Sequence, residues 1–263
     1  MQGKRIILTG AGGGIGSQLA GMLAREGAAL CLTDINAQAL QQCRESIAND
    51  SVHTITADLY NPAERQRIVD ETLEHLGGID ILINAAGINP FGVYAEQDAA
   101  LIQRTIEINT ISPMLLVRAV LPTLLAQNSG QIVNIGSTFG SIGFAWFSAY
   151  SASKFAMRGF SQALRRELAD TGIDVQYIAP RAVKTAINSQ AVYDMAAAVK
   201  MNMDEPEEVA RMIISKIRKR QKESYLGFPE SLFVRINAVF PGLVDRAVHS
   251  QNRVAHQHAK KSG

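Results

Sequence analysis

Tyr150 and Lys154 stand one helical turn apart in "YSASK", within a stretch that reads as one helix over 148–170. Side chains at i and i+4 share a helix face, so the two can reach a single site. Ser151, Ala152 and Ser153 between them are small and leave room for a ligand or for close packing. A free phenol titrates at about 10 and is a poor base near neutrality. A neighbouring ammonium favours the phenolate and is expected to lower that value. Tyr150 could then give a proton to a ketone oxygen or take one from an alcohol. Ser137, delivered by an earlier apolar run, could hold the same oxygen, and a nicotinamide would supply or take the hydride. The competing reading is a packed aromatic beside a solvated lysine. Those five residues alone do not decide between the two.

A second constellation lies near the start of the chain. "TGAGGGIG" runs from Thr9 to Gly16, with Gly10, Gly14 and Gly16 framing Gly12 and Gly13. Ile15 breaks the G-x-G-x-x-G spacing, but the physics is alike. Glycines let the backbone turn sharply and approach a phosphate, and the following helix offers unpaired N–H groups at its positive end. Asp34 ends the next apolar run, where an acidic residue can meet adenosine ribose hydroxyls and repel a 2′-phosphate. No Lys or Arg lies between Gly10 and Gln18 or directly after Asp34, where Ile35 and Asn36 follow. NAD(H) is therefore expected over NADP(H). Asp34 could instead open an Asx-turn or cap the next helix, a role for which Asn36 competes. Asp58, with Leu59 beside it, follows the third run and could accept from an adenine amine. Asn84, Ala85, Ala86 and Gly87 ("NAAG") follow the fourth and permit close approach by a cofactor or by another segment.

These residues need a frame that gathers strand ends. Near-continuous apolar runs at 5–9, 29–33, 53–57, 79–84, 131–136, 174–179 and 224–227 read as strands covered on both faces. Helical patterns lie between them at 16–25, 37–48, 62–76, 98–127, 148–170 and 206–220. Asn36 and Asn61 sit at N-cap positions, Pro62 and Pro206 at first turns, and Gly27, Gly77 and Gly172 at stops. The alternation predicts an α/β, Rossmann-type doubly wound parallel sheet of seven strands with helices on both faces. In such a sheet ligands bind beyond the carboxyl ends of the strands, which is where the residues above fall.

Composition excludes some classes. With 47% apolar and 19% charged residues the chain reads as globular, and a net charge of +2 does not suggest a nucleic-acid binder. Cys31 and Cys43 lie in an apolar and a helical run, so no disulfide framework is expected. The first apolar run is too short for a signal-peptide core, and no segment has the uninterrupted apolar length of a spanning helix. A cytoplasmic protein is the expectation. His256 and His258 sit in a polar tail without acidic or cysteine partners nearby. No metal site is expected, and disorder is expected there.

Taken together, Thr9-Gly10-x-x-x-Gly14-x-Gly16, Asp58, "NAAG" at 84–87, Asn109 in "IEIN", Ser137, Tyr150-x-x-x-Lys154 and Pro180 with Thr185 resemble the single-domain branch of the short-chain dehydrogenase/reductase family. The match covers about 4–185 in order and spacing. The resemblance implies an enzyme that interconverts secondary alcohols and ketones with NAD or NADP. It implies Tyr150 as general acid/base, Lys154 on the nicotinamide ribose, Ser137 on the substrate carbonyl, and Asn109 holding a water that links Lys154 to solvent. Thr185 and the backbone near Val183 would meet the nicotinamide carboxamide. Family members are commonly dimers or tetramers through the fourth and fifth helices, so a homodimer or homotetramer is expected.

The chain departs from the family in two places. Arg181 follows Pro180 where the family has glycine. We expect it to point to solvent, the sharper alternative being a contact to an anionic group of cofactor or substrate. The segment 181–204 corresponds to a mobile substrate lid and is rich in Met and Ala, which suits an apolar, lipid-like substrate. Residues 1–228 then form one catalytic domain, and 229–263 an amphipathic extension with a polar tail. Leu232, Ile236, Phe240 and Val244 make a helical stripe, expected to be bent or broken at Pro241. The stripe packs on the body or a second subunit, or gives a weak contact with a membrane surface. Two other functions compete. One is a 3-oxoacyl thioester (acyl-carrier or coenzyme A) reductase; the other is a non-catalytic nucleotide sensor or scaffold.

Overall fold

The computed structural model describes residues 1–48 and 50–260. Seven parallel strands form one sheet in the order β3-β2-β1-β4-β5-β6-β7. They are β1 (Arg5–Thr9), β2 (Ala29–Asp34), β3 (Val52–Thr56), β4 (Ile81–Asn84), β5 (Gly130–Ile135), β6 (Ile173–Ala179) and β7 (Glu223–Tyr225). Each lies within a few residues of its expected place. The order runs outward in both directions from β1 and β4, which pair Thr9 with Asn84 at their carboxyl ends. That is the switch point where an open parallel sheet leaves a crevice.

Successive strand residues point to opposite faces, and the sheet is buried on both. Ile6 and Leu8 pack with α1 (Gly14–Arg25), α2 (Ala37–Glu45) and α8 (Pro206–Arg218). Ile7 packs on the other face with α3 (Pro62–Leu76), α5 (Ser112–Gln127) and α6 (Ser148–Glu167). Asn36 and Asn61 cap α2 and α3 by accepting from Ala39 and Ala63 N–H. Gly77 ends α3 at φ 71°, where only glycine is unstrained. Cys31 and Cys43 are buried and unpaired with each other.

Two expectations about the helix over 98–127 need correction. The single helix expected over 98–127 is α4 (Ala99–Ile106), a π-type turn over Glu107–Ile111, and α5. By length and composition Ala99–Gln127 could cross a membrane, contrary to the sequence reading. In this fold it is built into the domain, with Leu116, Val120 and Leu124 fully buried. The lid over 181–204 contains α7 (Gln190–Ala198). The extension is broken at Pro241, one of the two outcomes expected, into α9 (Glu230–Val239) and α10 (Pro241–Ala259), with Pro241 in the first turn of the second helix.

The expected disordered tail is also ordered through 259. Ala255 and Ala259 are buried against Phe91, Phe147 and the α7 residues Val192 and Met195. The His256 ring stacks on Trp146 with centroids 4.5 Å apart. The end of the expected tail, 261–263, lies outside the described residues.

Candidate active site

The glycine turn is built for a close neighbour. Gly10 adopts φ 70°, and a Cβ there would lie 2.8 Å from the Ala86 backbone. A Cβ on Gly16 would lie 2.0 Å from Gly10 O. Thr9 Oγ1 accepts from the N–H groups of Ala85 and Ala86, at 3.1 and 3.2 Å, which ties "NAAG" to the turn. Asn84 itself is buried and donates to Asn134 Oδ1 at 2.9 Å. Gly13 caps α1 without a side-chain partner, and no acidic residue occupies the first turn. The first N–H groups of α1 therefore face outward unsatisfied by the helix, with Ile15 among them. A dinucleotide pyrophosphate fits this cradle.

Asp34 lies beside the turn. Its Oδ2 accepts from Gly12 N–H and its Oδ1 from Asn36 N–H, both at 2.9 Å. The Asx-turn and the position beside the glycine loop are thus both present, not alternatives, while Asn36 does the capping. Ile35 next to it is 57% exposed, open to a flat ligand face. Asp58 Oδ1 accepts from Tyr60 N–H at 2.9 Å. The Leu59 side chain is core and its carbonyl is held by Arg65, so only its backbone N–H side is left for a ligand.

The reacting end gathers at the carboxyl ends of β4, β5 and β6. A cleft of about 120 Å³ is lined by Ile15, Ala85 and Gly87, by Ser137, Tyr150 and Lys154, and by Pro180, Val183 and Thr185. Thr185 stands against Gly14, where a Cβ would meet its Cγ2 at 2.5 Å. Ser137 and Tyr150 line the same cleft, and Ser137 Oγ accepts from Phe139 N–H at 3.1 Å. Lys154 is buried and donates to Ile135 O at 3.3 Å. Its Nζ is 5.6 Å from the Tyr150 ring centroid.

The electrostatics reverse the sequence expectation. Burial pushes the Tyr150 phenol up to about 12, and the neighbouring Ser137 side chain only partly opposes it. Burial also brings Lys154 down to about 8. Desolvation acts on both groups more strongly than a lysine at this distance acts on the phenol. The Tyr150 phenol therefore keeps its proton at neutral pH.

Asn109 sits in the π-type turn and is 2% exposed. Such turns inside helices often mark functional positions. Its Nδ2 donates to Ile88 O at 2.9 Å and to Ser153 Oγ at 3.0 Å, and its Oδ1 accepts from Ile88 N–H at 2.8 Å. A Cβ on Gly87 would be 3.0 Å from Asn109 Oδ1 and 3.7 Å from Lys154 Nζ. Glycine at 87 leaves the space beside both groups open.

Sequence reasoning missed Tyr177. Its ring fills the space above Gly136 and Gly140, where a Cβ would come within 2.1 and 2.2 Å of it. Its hydroxyl donates to Ser137 O at 3.1 Å and accepts from Ser137 N–H at 3.3 Å. The paired glycines around Ser137 were the available signal.

Arg181 does not point to solvent. It grips Asp204 with two hydrogen bonds of 2.9 and 2.6 Å and Glu230 Oε2 with one of 2.9 Å. With both carboxylates engaged, its guanidinium ties the lid to α9 and is not free for an anionic ligand.

Away from the cleft, at the amino end of β3 and on α3, His53, Glu71 and His75 bring ligand atoms within 4.8 Å of one another. His53 Nε2 and Arg67 Nη1 each lie 3.0 Å from Glu71, so the group is an ion-pair cluster outside the site.

Known proteins share this layout. The short chain dehydrogenase family model matches residues 4–196. Dehydrogenase/reductase SDR family member 7B of Bos taurus is 31% identical over 263 residues, covering 94% of this chain and 81% of the relative. Ketoacyl reductase HetN of Nostoc sp. is 31% identical over 255 residues, covering 94% and 88%. The structure of a short chain dehydrogenase/reductase from Burkholderia phymatum in complex with NAD aligns with a TM-score of 0.84 at 25% identity, covering 92% of this chain and 95% of that one. The chain is an oxidoreductase acting on CH–OH groups with a nicotinamide dinucleotide, and it belongs to the short-chain dehydrogenase/reductase family.

Proposed function

We propose that the chain reduces a ketone on an apolar substrate, and reoxidises the corresponding secondary alcohol, with NAD(H). The observation that carries this reading is the convergence of Ser137, Tyr150 and buried Lys154 on one cleft with the glycine-turn residue Ile15. A bound nicotinamide supplies the hydride to the carbonyl carbon. Tyr150 donates its phenolic proton to the carbonyl oxygen, which Ser137 orients by hydrogen bonding. Lys154, charged below about 8, favours the phenolate left behind and holds the nicotinamide ribose. Asn109 holds a water that returns a proton through Lys154.

The remaining cofactor contacts follow the strand ends. The N–H groups from Gly12 to Gly16 cradle the pyrophosphate, and Asp34 takes the adenosine ribose hydroxyls. Asp58 and the Leu59 backbone take the adenine. Thr185 and Val183 meet the carboxamide. The Asp34 carboxylate beside Gly12, with no cation supplied by the turn, supports NAD(H) over NADP(H).

Assembly and surface contacts are part of the proposal. Exposed Leu101, Met114, Leu115, Leu125 and Phe155 on α4, α5 and α6 support a homodimer or homotetramer through these helices. Exposed Val239, Phe240 and Leu243 at the α9–α10 junction support a weak membrane-surface contact. A 3-oxoacyl thioester reductase is the second reading, supported by the similarity to HetN. Oxidation of NADH and NADPH, followed over simple ketones and 3-oxoacyl thioesters, separates the two. The first reading expects simple ketones turned over with NADH in preference. Turnover confined to thioesters with NADPH contradicts it.

A further inference from the structure

An apolar chamber of about 560 Å³ adjoins the catalytic cleft, within the usual range for small-molecule pockets. The family match ends at residue 196, and the chamber is closed largely by what lies beyond it. One wall is Phe139, Ile142 and Phe144, from the loop that follows Ser137. The facing wall is Ile236 of α9 with Val244 and Val248 of α10. Chamber and cleft share Thr138, Phe139, Arg181, Ala182 and Met201, so they adjoin across these residues.

The walls select for hydrocarbon. Arg181 on the shared rim and Glu230 in the chamber lining pair at 2.9 Å, and the remaining ionic group of the lining, Lys200, is exposed. Among the described residues, no unpartnered buried polar side-chain atom belongs to a chamber residue. Lys200, Asn202 and Gln251 also line the chamber as exposed residues, but a ligand hydroxyl or charge set against its aromatic and branched aliphatic walls would lose hydration without gaining a partner. The side chains are mostly aromatic and branched aliphatic, which suits a plain apolar group.

We propose that this chamber binds the straight hydrocarbon chain of the substrate whose carbonyl meets Ser137 and Tyr150. The assignment rests on the ketone reading above for the identity of the reacting end, and the extension α9–α10 sets the accepted chain length. Arg181 clamps that extension to the lid, so the chamber is a built part of the site.

The test measures binding separately from turnover. Straight-chain 2-ketones from butan-2-one to dodecan-2-one are titrated calorimetrically into the full chain without nucleotide, and their kcat/KM values are measured with NADH. Affinity is expected to rise roughly three- to four-fold per methylene, as burial of a CH2 group predicts, until the chamber is full. Ala247→Trp and Val248→Trp each place an indole in the chamber from α10. Each is expected to cut the dodecanone-to-butanone affinity ratio at least tenfold. Retained thermal melting of either variant shows that it folds. A ratio unchanged in both folded variants, or no rise with chain length in the native chain, overturns the chamber. A chain-length rise in affinity lost in the variants, with no ketone turned over, supports the chamber and refutes the ketone reading. Turnover with no chain-length dependence does the reverse.

Discussion

Lys154 Nζ lies 5.6 Å from the centre of the Tyr150 ring, both groups projecting from one face of α6. In that geometry the two titrations are moved by burial in opposite directions, the phenol to about 12 and the ammonium to about 8. The tyrosine is thus set as an acid for ketone reduction, and the lysine is the group that titrates closest to neutral pH.

This places an activity limit on the alkaline side. Lys154 is charged below about 8 and loses its proton above it, whereas Tyr150 keeps its proton to about 12. The kcat/KM for ketone reduction is expected to be level below pH 8 and to fall about tenfold per unit above it. Lys154→Arg should move the descending limb upward by more than one unit. A profile level to pH 10 in the native enzyme contradicts the assignment.

Burying that charge also costs stability. The unfolded lysine holds its proton to 10.5 and the folded one only to about 8, so the unfolded state binds more protons between those values. The penalty is fully present below pH 8 and is relieved as pH rises toward 10.5. Lys154→Met removes it, and at pH 7 the variant should be more stable by about 1–3 kcal/mol, up to the full linkage value, while losing turnover. Urea denaturation at pH 7 and pH 10 checks this, the gain shrinking at the higher pH. Equal or lower stability at pH 7 contradicts it.

Arg181 provides a contrasting case. Its side chain is 17% exposed and those of Asp204 and Glu230 are 12% and 26% exposed. Arg181→Gly leaves two half-buried carboxylates without their shared partner. It should destabilise the protein by about 1–3 kcal/mol and raise the substrate KM, leaving the NADH KM unchanged. Thermal unfolding and steady-state kinetics read both effects. A rise confined to the NADH KM would indicate a cofactor contact instead.

How much of this was legible in the chain follows from the range of the interactions. The Tyr150–Lys154 pairing was legible because one helical turn sets it, and the glycine turn because its own backbone sets it. Arg181 was misjudged because Asp204 and Glu230 arrive from the lid and from α9, far along the sequence. The Tyr150 shift depends on what covers the ring, which no local spacing encodes. The tail was read as disordered because its residues are polar. Its order comes from small Ala255 and Ala259 fitting under Phe91 and from His256 stacking on Trp146. Tyr177 reads in β6 as one more core residue until its hydroxyl is seen holding both backbone groups of Ser137.

Cofactor choice rests on one carboxylate. Asp34 is held beside the glycine turn by Gly12 N–H, where it would oppose a 2′-phosphate. Asp34→Ser should lower the KM for NADPH at least tenfold relative to that for NADH. An unchanged ratio places the selectivity elsewhere.

The central claim is that the Tyr150 hydroxyl delivers the proton that accompanies hydride transfer. Tyr150→Phe removes that hydroxyl and little else. Dinucleotide affinity, followed by fluorescence titration, should remain within about threefold, while kcat for NADH-dependent ketone reduction falls by about 10²–10⁴-fold, the usual contribution of a general acid. Ketone reduction by the Phe variant at the native rate, with dinucleotide affinity intact, would contradict the account.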